Sequence, residues 1–348
     1  MLSYRAYRDI LYDSLTCGYV GRNLSKHRLV SEREKMPFIP EMHPKMIPVT
    51  WEHFVANMPP RSIALDGFVY DPPAFDPRGP HVNFDHHKGP PRSSMLCTST
   101  QVLVAVREGL LDMFMPTGDE IVRVWMNDCD PDVGLSWYAL EHHWNVSAPV
   151  NSALHRLYGY VQDMDRASGL LDKPRDLPIV KQAAWVFEPY WQFRFSGAID
   201  AKDQTAYMGV LRDVTHRVNE FLAARGRELP IDDRYEVLGG GEDWIMVREI
   251  GLQARMRMAR RGIRAFVSAR QKPDGRWVYT ICRKSAYVWW FPVPEICAQL
   301  NTNELEEDFF GGGDIVFGNA RGSGSTRDPQ LMTLAINAFL QDRNLRAP

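Results

Sequence analysis

The feature that most restricts what this chain can fold into is a set of short, strand-like runs that lead into acidic or imidazole residues, with helical patterns after the second and the third. Ser62-Ile-Ala-Leu reads as a buried strand ending at Asp66, and His81-Val-Asn-Phe reads as a second, delivering Asp85-His86-His87-Lys88-Gly89. Thr98 to Asp112 carries helical periodicity. Ile121 to Met126 is a third strand, running into Asn127-Asp128-Cys129-Asp130-Pro131-Asp132, and a helix is predicted over Leu135–His143. Strands alternating with helices imply an α/β fold with a mainly parallel sheet, whose ligands sit beyond the carboxyl ends of the strands. The acids and imidazoles stand at those ends.

The rest of the chain divides around this core. Residues 1–60 begin with a short amphipathic helical pattern (Tyr4, Tyr7, Ile10, Leu11, Leu15) and turn proline-rich at Pro37, Pro40, Pro44 and Pro48, which reads as an arm packed on the main domain. Residues 61–204 are expected to form the parallel-sheet lobe, with Asp163 and Asp165 on a further helical segment. Residues 205–229 are expected to hold a helix joining two lobes, and 230–348 to form a smaller C-terminal α/β lobe. In that lobe Trp244–Arg261 reads as helix, Ile263–Ser268 as strand, Lys272-Pro-Asp-Gly as a hairpin turn and Trp277–Cys282 as the returning strand.

Composition limits the function classes. With 348 residues, the chain buries a substantial core without crosslinks. It is 45% hydrophobic and 24% charged with a net charge of -2, which argues against extended disorder and against tight binding to long duplexes, where many Lys and Arg must meet phosphates. Cys17, Cys97, Cys129, Cys282 and Cys297 are odd in number and scattered, with no paired spacing for zinc or redox chemistry. No apolar run reaches the length of a membrane span, and charges interrupt the N-terminus where a signal peptide would be apolar. A cytoplasmic protein with no membrane partner is the expectation.

Carboxylates and imidazoles converging at strand ends suit hard divalent cations, and a bridging Asp holds two such ions about 3.5–4 Å apart. The clusters available are Asp66; Asp85, His86 and His87; Asp128, Asp130 and Asp132; and Asp163 with Asp165. Blander roles exist for some. Asp128, Asp130 and Asp132 also suit a solvated helix N-terminus, where acids favour the dipole. Asp163 and Asp165 also suit a plain helix surface. Trp289, Trp290 and Phe291 read as core packing, and His142 and His143 as helix-end surface residues.

The stretch Asp66-Gly-Phe-Val-Tyr-Asp followed by Asn83-Phe-Asp-His-His-Lys resembles the DHH phosphoesterase superfamily, closest to its melanocyte-proliferating-gene type nucleases. The Asp128-x-Asp130-x-Asp132 run is similar to the first motif of the RecJ-like branch. Val133 replaces that motif's Gly, and the run follows the Asp-His-His triplet instead of preceding it, which implies a permuted sheet order. The resemblance implies that Asp66 bridges two Mn2+ or Mg2+ ions, that His86 is a ligand, that His87 faces metal or phosphate, and that Asp85 orients the imidazoles. Asp128, Asp130, Asp132, Asp163 and Asp165 would complete the ligands.

The C-terminal lobe carries Gly311-Gly312-Gly313-Asp314, followed by Arg321, Ser323 and Ser325, similar to the triple-glycine loop of the DHH-associated domain. Its glycines let backbone amides approach an anion, although such a stretch also serves as a flexible connection. Arg283 and Lys284 are expected to face the same cleft. The implied activity is hydrolysis of a phosphodiester in a nucleotide or a short single-stranded nucleic acid, by a chain for which a homodimer is left open. Two alternatives stand beside it: hydrolysis of a small phosphoanhydride, as in the pyrophosphatase branch, and a catalytically inactive binding or scaffold protein. Aromatic surfaces in the cleft would favour the nucleotide, and purely cationic ones the phosphoanhydride.

Overall fold

The apolar runs before Asp66, Asp85 and Asn127 pair into one sheet in the computed structural model, which describes residues 38–147, 151–302, 304, 309–319 and 323–348. The strands of this first lobe are β1 (Phe38–Met42), β2 (Ser62–Leu65), β3 (Ala74–Asp76), β4 (His81–Phe84) and β5 (Val122–Met126). They lie in the order β1-β5-β2-β4-β3, and every pairing is parallel except that of β3 with β4. The strands β2 and β4 are buried at every position, as befits parallel strands covered on both faces. Their carboxyl ends therefore point the same way and bring Asp66 and Asp85 side by side.

Helices α1 (Trp51–Asn57), α2 (Thr98–Arg107), α3 (Leu110–Phe114), α4 (Pro131–Glu141), α5 (His143–Ser147), α6 (Ser152–Arg166), α7 (Pro178–Val186), α8 (Glu188–Phe195) and α9 (Gln204–Leu222) belong to this lobe. The entry to α4 is dictated locally. Asp130 caps it by accepting from the Asp132 and Val133 amides, and Pro131 occupies the first turn, where its missing N–H costs nothing. Helix α9 turns Tyr207, Val210, Leu211, Val214, Val218 and Phe221 into the first lobe's core. It joins the lobes in sequence but packs with the first.

The second lobe has a sheet ordered β10-β11-β9-β8-β7-β6, from β6 (Tyr235–Gly240), β7 (Ile245–Glu249), β8 (Ala265–Gln271), β9 (Trp277–Arg283), β10 (Gly311–Gly312) and β11 (Val316–Gly318). Only β7 and β8 pair in parallel. Helices α10 (Ala254–Arg260), α11 (Val293–Asn301) and α12 (Pro329–Asp342) complete it. The chain is thus α/β with two mixed sheets. Trp290 and Phe291 are in the second core, while Trp289 is half exposed.

Two readings are corrected. Residues 38–60 are not an irregular arm, because β1 and α1 lie there; Pro40 is tolerated since β1 is an edge strand with a single partner. Trp244–Arg261 is not one helix: Ile245–Glu249 is a strand, and only Ala254–Arg260 is helical, with the chain broken between them at Gly251. The amphipathic pattern at Tyr4 to Leu15 falls outside the described residues. No helix among the described residues is long and apolar enough to cross a membrane.

The lobes are joined just past α6. Ser168 Oγ donates to the Arg283 carbonyl at 2.9 Å, Arg255 Nη1 donates to the Ser168 carbonyl at 3.0 Å, and Leu170 is buried among Val247, Ala254, Met258, Phe266 and Cys282.

Candidate functional site

Asp66 leaves β2 in a tight turn. Asp66 and Gly67 have φ of 47° and 78°, and the Phe68 amide donates to the Leu65 carbonyl at 3.1 Å. Asp-Gly is the pair that tolerates two successive left-handed residues most readily. The turn holds the Asp66 carboxylate over the sheet's carboxyl edge, where Thr98 Oγ1 donates to it at 2.9 Å.

The end of β4 supplies the next groups. Asp85 is fully buried and anchors His87 twice, accepting from its amide at 3.2 Å and pairing with its Nδ1 at 2.7 Å. A carboxylate behind an imidazole in this way fixes the ring and leaves Nε2 for another partner. His86 Nε2 lies 3.2 Å from Asp66 Oδ1 and 3.9 Å from Asp132 Oδ2, and its Nδ1 lies 3.4 Å from Asp165 Oδ2. Asp165 arrives from the last turn of α6.

Asp132 has a double role. Its two oxygens accept the Thr98 and Ser99 amides at 2.8 and 2.9 Å, so it satisfies the first turn of α2 while facing His86. Asp128 Oδ1 accepts the Cys129 amide at 2.7 Å. Asp66, Asp128, Asp130, Asp132 and Asp165 all line one cavity of about 540 Å³ together with His87.

The electrostatics follow from crowding. Burial, with the charges of Asp66, Asp128 and Asp132, pushes Asp130 well above the ordinary carboxylate range. Burial and the charges of Asp165 and Asp66 raise Asp132 as well. At Asp66 burial acts upward, but the His87 charge, the His86 hydrogen bond and Arg92 outweigh it and hold the group below the usual range. Burial would lower His87, yet Asp66 and the hydrogen-bonded Asp85 lift it to about 9.

The donor set fits a divalent cation. Asp66, His86 and His87 offer ligand atoms within 4.8 Å of one another, and so do His86, Asp132 and Asp165. Carboxylate oxygens suit hard ions such as Mg2+ and Mn2+, and imidazole suits ions such as Zn2+ and Fe2+. The raised Asp130 and Asp132 mark an excess of negative charge that a cation would relieve.

Beyond the acids the cavity wall changes character. Tyr160, Phe187, Tyr190 and Trp191 form an aromatic side, with Arg194 and Arg255 beside them. The glycine loop of the second lobe closes over the imidazole: a Cβ at Gly313 would stand 3.3 Å from the His87 ring, and Tyr70 Oη donates to the Gly312 carbonyl at 2.9 Å.

Other anticipated residues stand elsewhere. Asp163 faces away from the acid cluster and pairs with Lys173 at 2.6 Å. Arg283 is buried with Nε on the Asp314 carbonyl at 3.0 Å and Nη1 on that of Val288 at 3.4 Å, so its donors are committed to main chain. Ser325 is buried and donates to Glu304 at 2.8 Å. The Ser323 carbonyl accepts from Lys272 at 3.0 Å. Neither these residues nor Lys284 are among the described residues lining the cavity. Arg321 falls outside the described residues. The glycines reach the site; the donors anticipated around them do not.

Arg92, Thr98, Tyr70 and the aromatic side of α7 and α8 went unread in the sequence. Arg92 is a lone cation after two prolines, with no spacing to mark it; the aromatic run Trp185 to Phe195 was visible, but nothing local says which rings face a cavity. Compared with family profiles, characterised proteins and solved structures, the chain has no match in any of the three.

Proposed function

We propose that this chain is a divalent-cation-dependent phosphoesterase of the DHH type, hydrolysing a phosphodiester in a nucleotide or a short single-stranded nucleic acid. The observation that carries this reading is the meeting of Asp66, His87, Asp130, Asp132 and Asp165, from distant parts of the chain, at one end of a cavity with aromatic and cationic walls, with His86 buried against Asp66 and Asp165. The glycine loop of a second lobe packed on His87 is the further feature in keeping with the DHH arrangement.

A bound divalent cation would supply hydroxide by lowering the pKa of a coordinated water. The chain's own groups supply placement. Asp85 locks the His87 ring, and His87, held protonated, is set to hydrogen-bond a phosphoryl oxygen as charge develops there. Arg194 sits over the Trp191 ring, 5.8 Å from its centroid, so a charge for a phosphate lies next to a flat surface for a base. Those aromatic rings favour a nucleotide-like diester over a bare phosphoanhydride.

The test is hydrolysis by the full chain with Mn2+ of a bis-aryl phosphodiester, short RNA and DNA, cyclic dinucleotides and pyrophosphate. Expected is Mn2+-dependent cleavage of a nucleotide diester, reduced on the order of a hundredfold in Asp85→Ala. Turnover of pyrophosphate alone, or an activity indifferent to chelation, would overturn the reading.

A further inference from the structure

This inference rests on the cation-dependent reading above and narrows it. Arg92 enters the acid cluster from the loop after Gly89-Pro90-Pro91 and is only 6% exposed. Its Nη2 lies 2.5 Å from His86 Nε2 and 3.0 and 3.1 Å from the two oxygens of Asp165. His86 and Asp165 are two members of the second ligand group, whose third is Asp132. A guanidinium therefore already fills the space between them.

A cation placed in that group would meet two obstacles. A guanidinium nitrogen 2.5 Å from His86 Nε2 stands where an ion bound to that nitrogen would sit, and the fixed positive charge of Arg92 repels a second one at close range. Arg92 cannot withdraw cheaply, because Asp165 would then lose its only close cationic neighbour among the described residues. At the other end of the cluster Asp66, His87, Asp128 and Asp130 line the cavity, and Arg92 bears on Asp66 and His87 through its charge. Arg92 Nε, meanwhile, is buried with no hydrogen-bond partner, and the side chain lines the cavity. An arginine with an unspent donor at a phosphoester-sized cavity is arranged for an oxyanion.

We propose that Arg92 takes the place of the second cation: the chain holds one divalent ion, on the side of Asp66, His87, Asp128 and Asp130, and Arg92 presents the other positive charge to the phosphoryl oxygens. The two-ion count implied by the sequence resemblance is thereby replaced by one ion and one guanidinium.

The full chain is equilibrated with excess MnCl2, freed of unbound ion by gel filtration, and its manganese counted by plasma mass spectrometry, with electron paramagnetic resonance to detect a coupled ion pair. One Mn2+ per wild-type chain without a coupled spectrum is expected, two with coupling in Arg92→Met, and one in Arg92→Lys. Two ions in the wild type, or a folded Arg92→Met that still holds one, would overturn the role of Arg92 and leave the phosphoesterase reading standing. If Arg92→Met does not fold, the wild-type and Arg92→Lys counts still decide. A wild-type chain that retains no ion would sink the cation-dependent reading itself.

Discussion

At the residue scale, the site is a set of local compromises. Asp66 adopts a left-handed backbone that costs a non-glycine residue about 1 kcal/mol or more, which the surrounding turn and Thr98 maintain. His87 gives the clearest pH dependence. Its pKa in the cation-free protein is raised from 6.5 to about 9, so its contribution to folding stability is fully present below about pH 6.5 and is lost as pH rises through about 9. Thermal unfolding of the cation-free protein across that interval should show a falling midpoint, and the slope should flatten in His87→Gln. The acids at strand ends were readable because a carboxylate after a buried apolar run has few reasons to be there. Asp163 was misplaced because two acids two positions apart on one helix cannot both face the same neighbour, and sequence alone does not say which one does.

At the element scale, legibility followed burial and continuity. The strand β2 reads as an apolar run, and β4 and β5 as short strands in which polar residues (His81, Asn83, Arg123) alternate with apolar ones. β1 hid behind its prolines, and β7 was absorbed into a helical pattern because Ile245, Met246 and Val247 satisfy either period over so short a span. The glycine loop was legible as position but not as chemistry. At Gly312 φ is 154° and a Cβ would lie 2.2 Å from the Val316 carbonyl, while a Cβ at Gly311 meets nothing within 4 Å. Gly312→Ala should therefore destabilise by roughly 1–3 kcal/mol in denaturant unfolding and lower activity with it, whereas Gly311→Ala should do neither. Equal effects of the two substitutions would show that the loop's backbone geometry is not what holds it against His87.

At the scale of the whole molecule, the lobes are tied by a charge as well as by apolar contact. Arg255 donates to Glu249 at 2.7 Å and to the Ser168 carbonyl at 3.0 Å, with the Glu249 side chain covered and that of Arg255 partly so. At Glu249 burial acts upward, but the Arg255 and Arg194 charges hold it below its ordinary value. Its stabilising contribution is thus present above about pH 4.5 and is lost as pH falls through the lowered value. Arg255→Met should cost about 3–5 kcal/mol at neutral pH, read as a shift in denaturant midpoint, because it strands a buried carboxylate. Arg255→Met with Glu249→Gln together should recover much of that loss.

The placement of Leu170 among second-lobe residues has a consequence for how the protein is made. A ribosome finishes α7, α8 and α9 long before it reaches Phe266 and Cys282, so the nascent first half carries an apolar side chain whose covering has not yet been synthesised. The two halves mature together, and a fragment ending near residue 229 would keep that side chain bare.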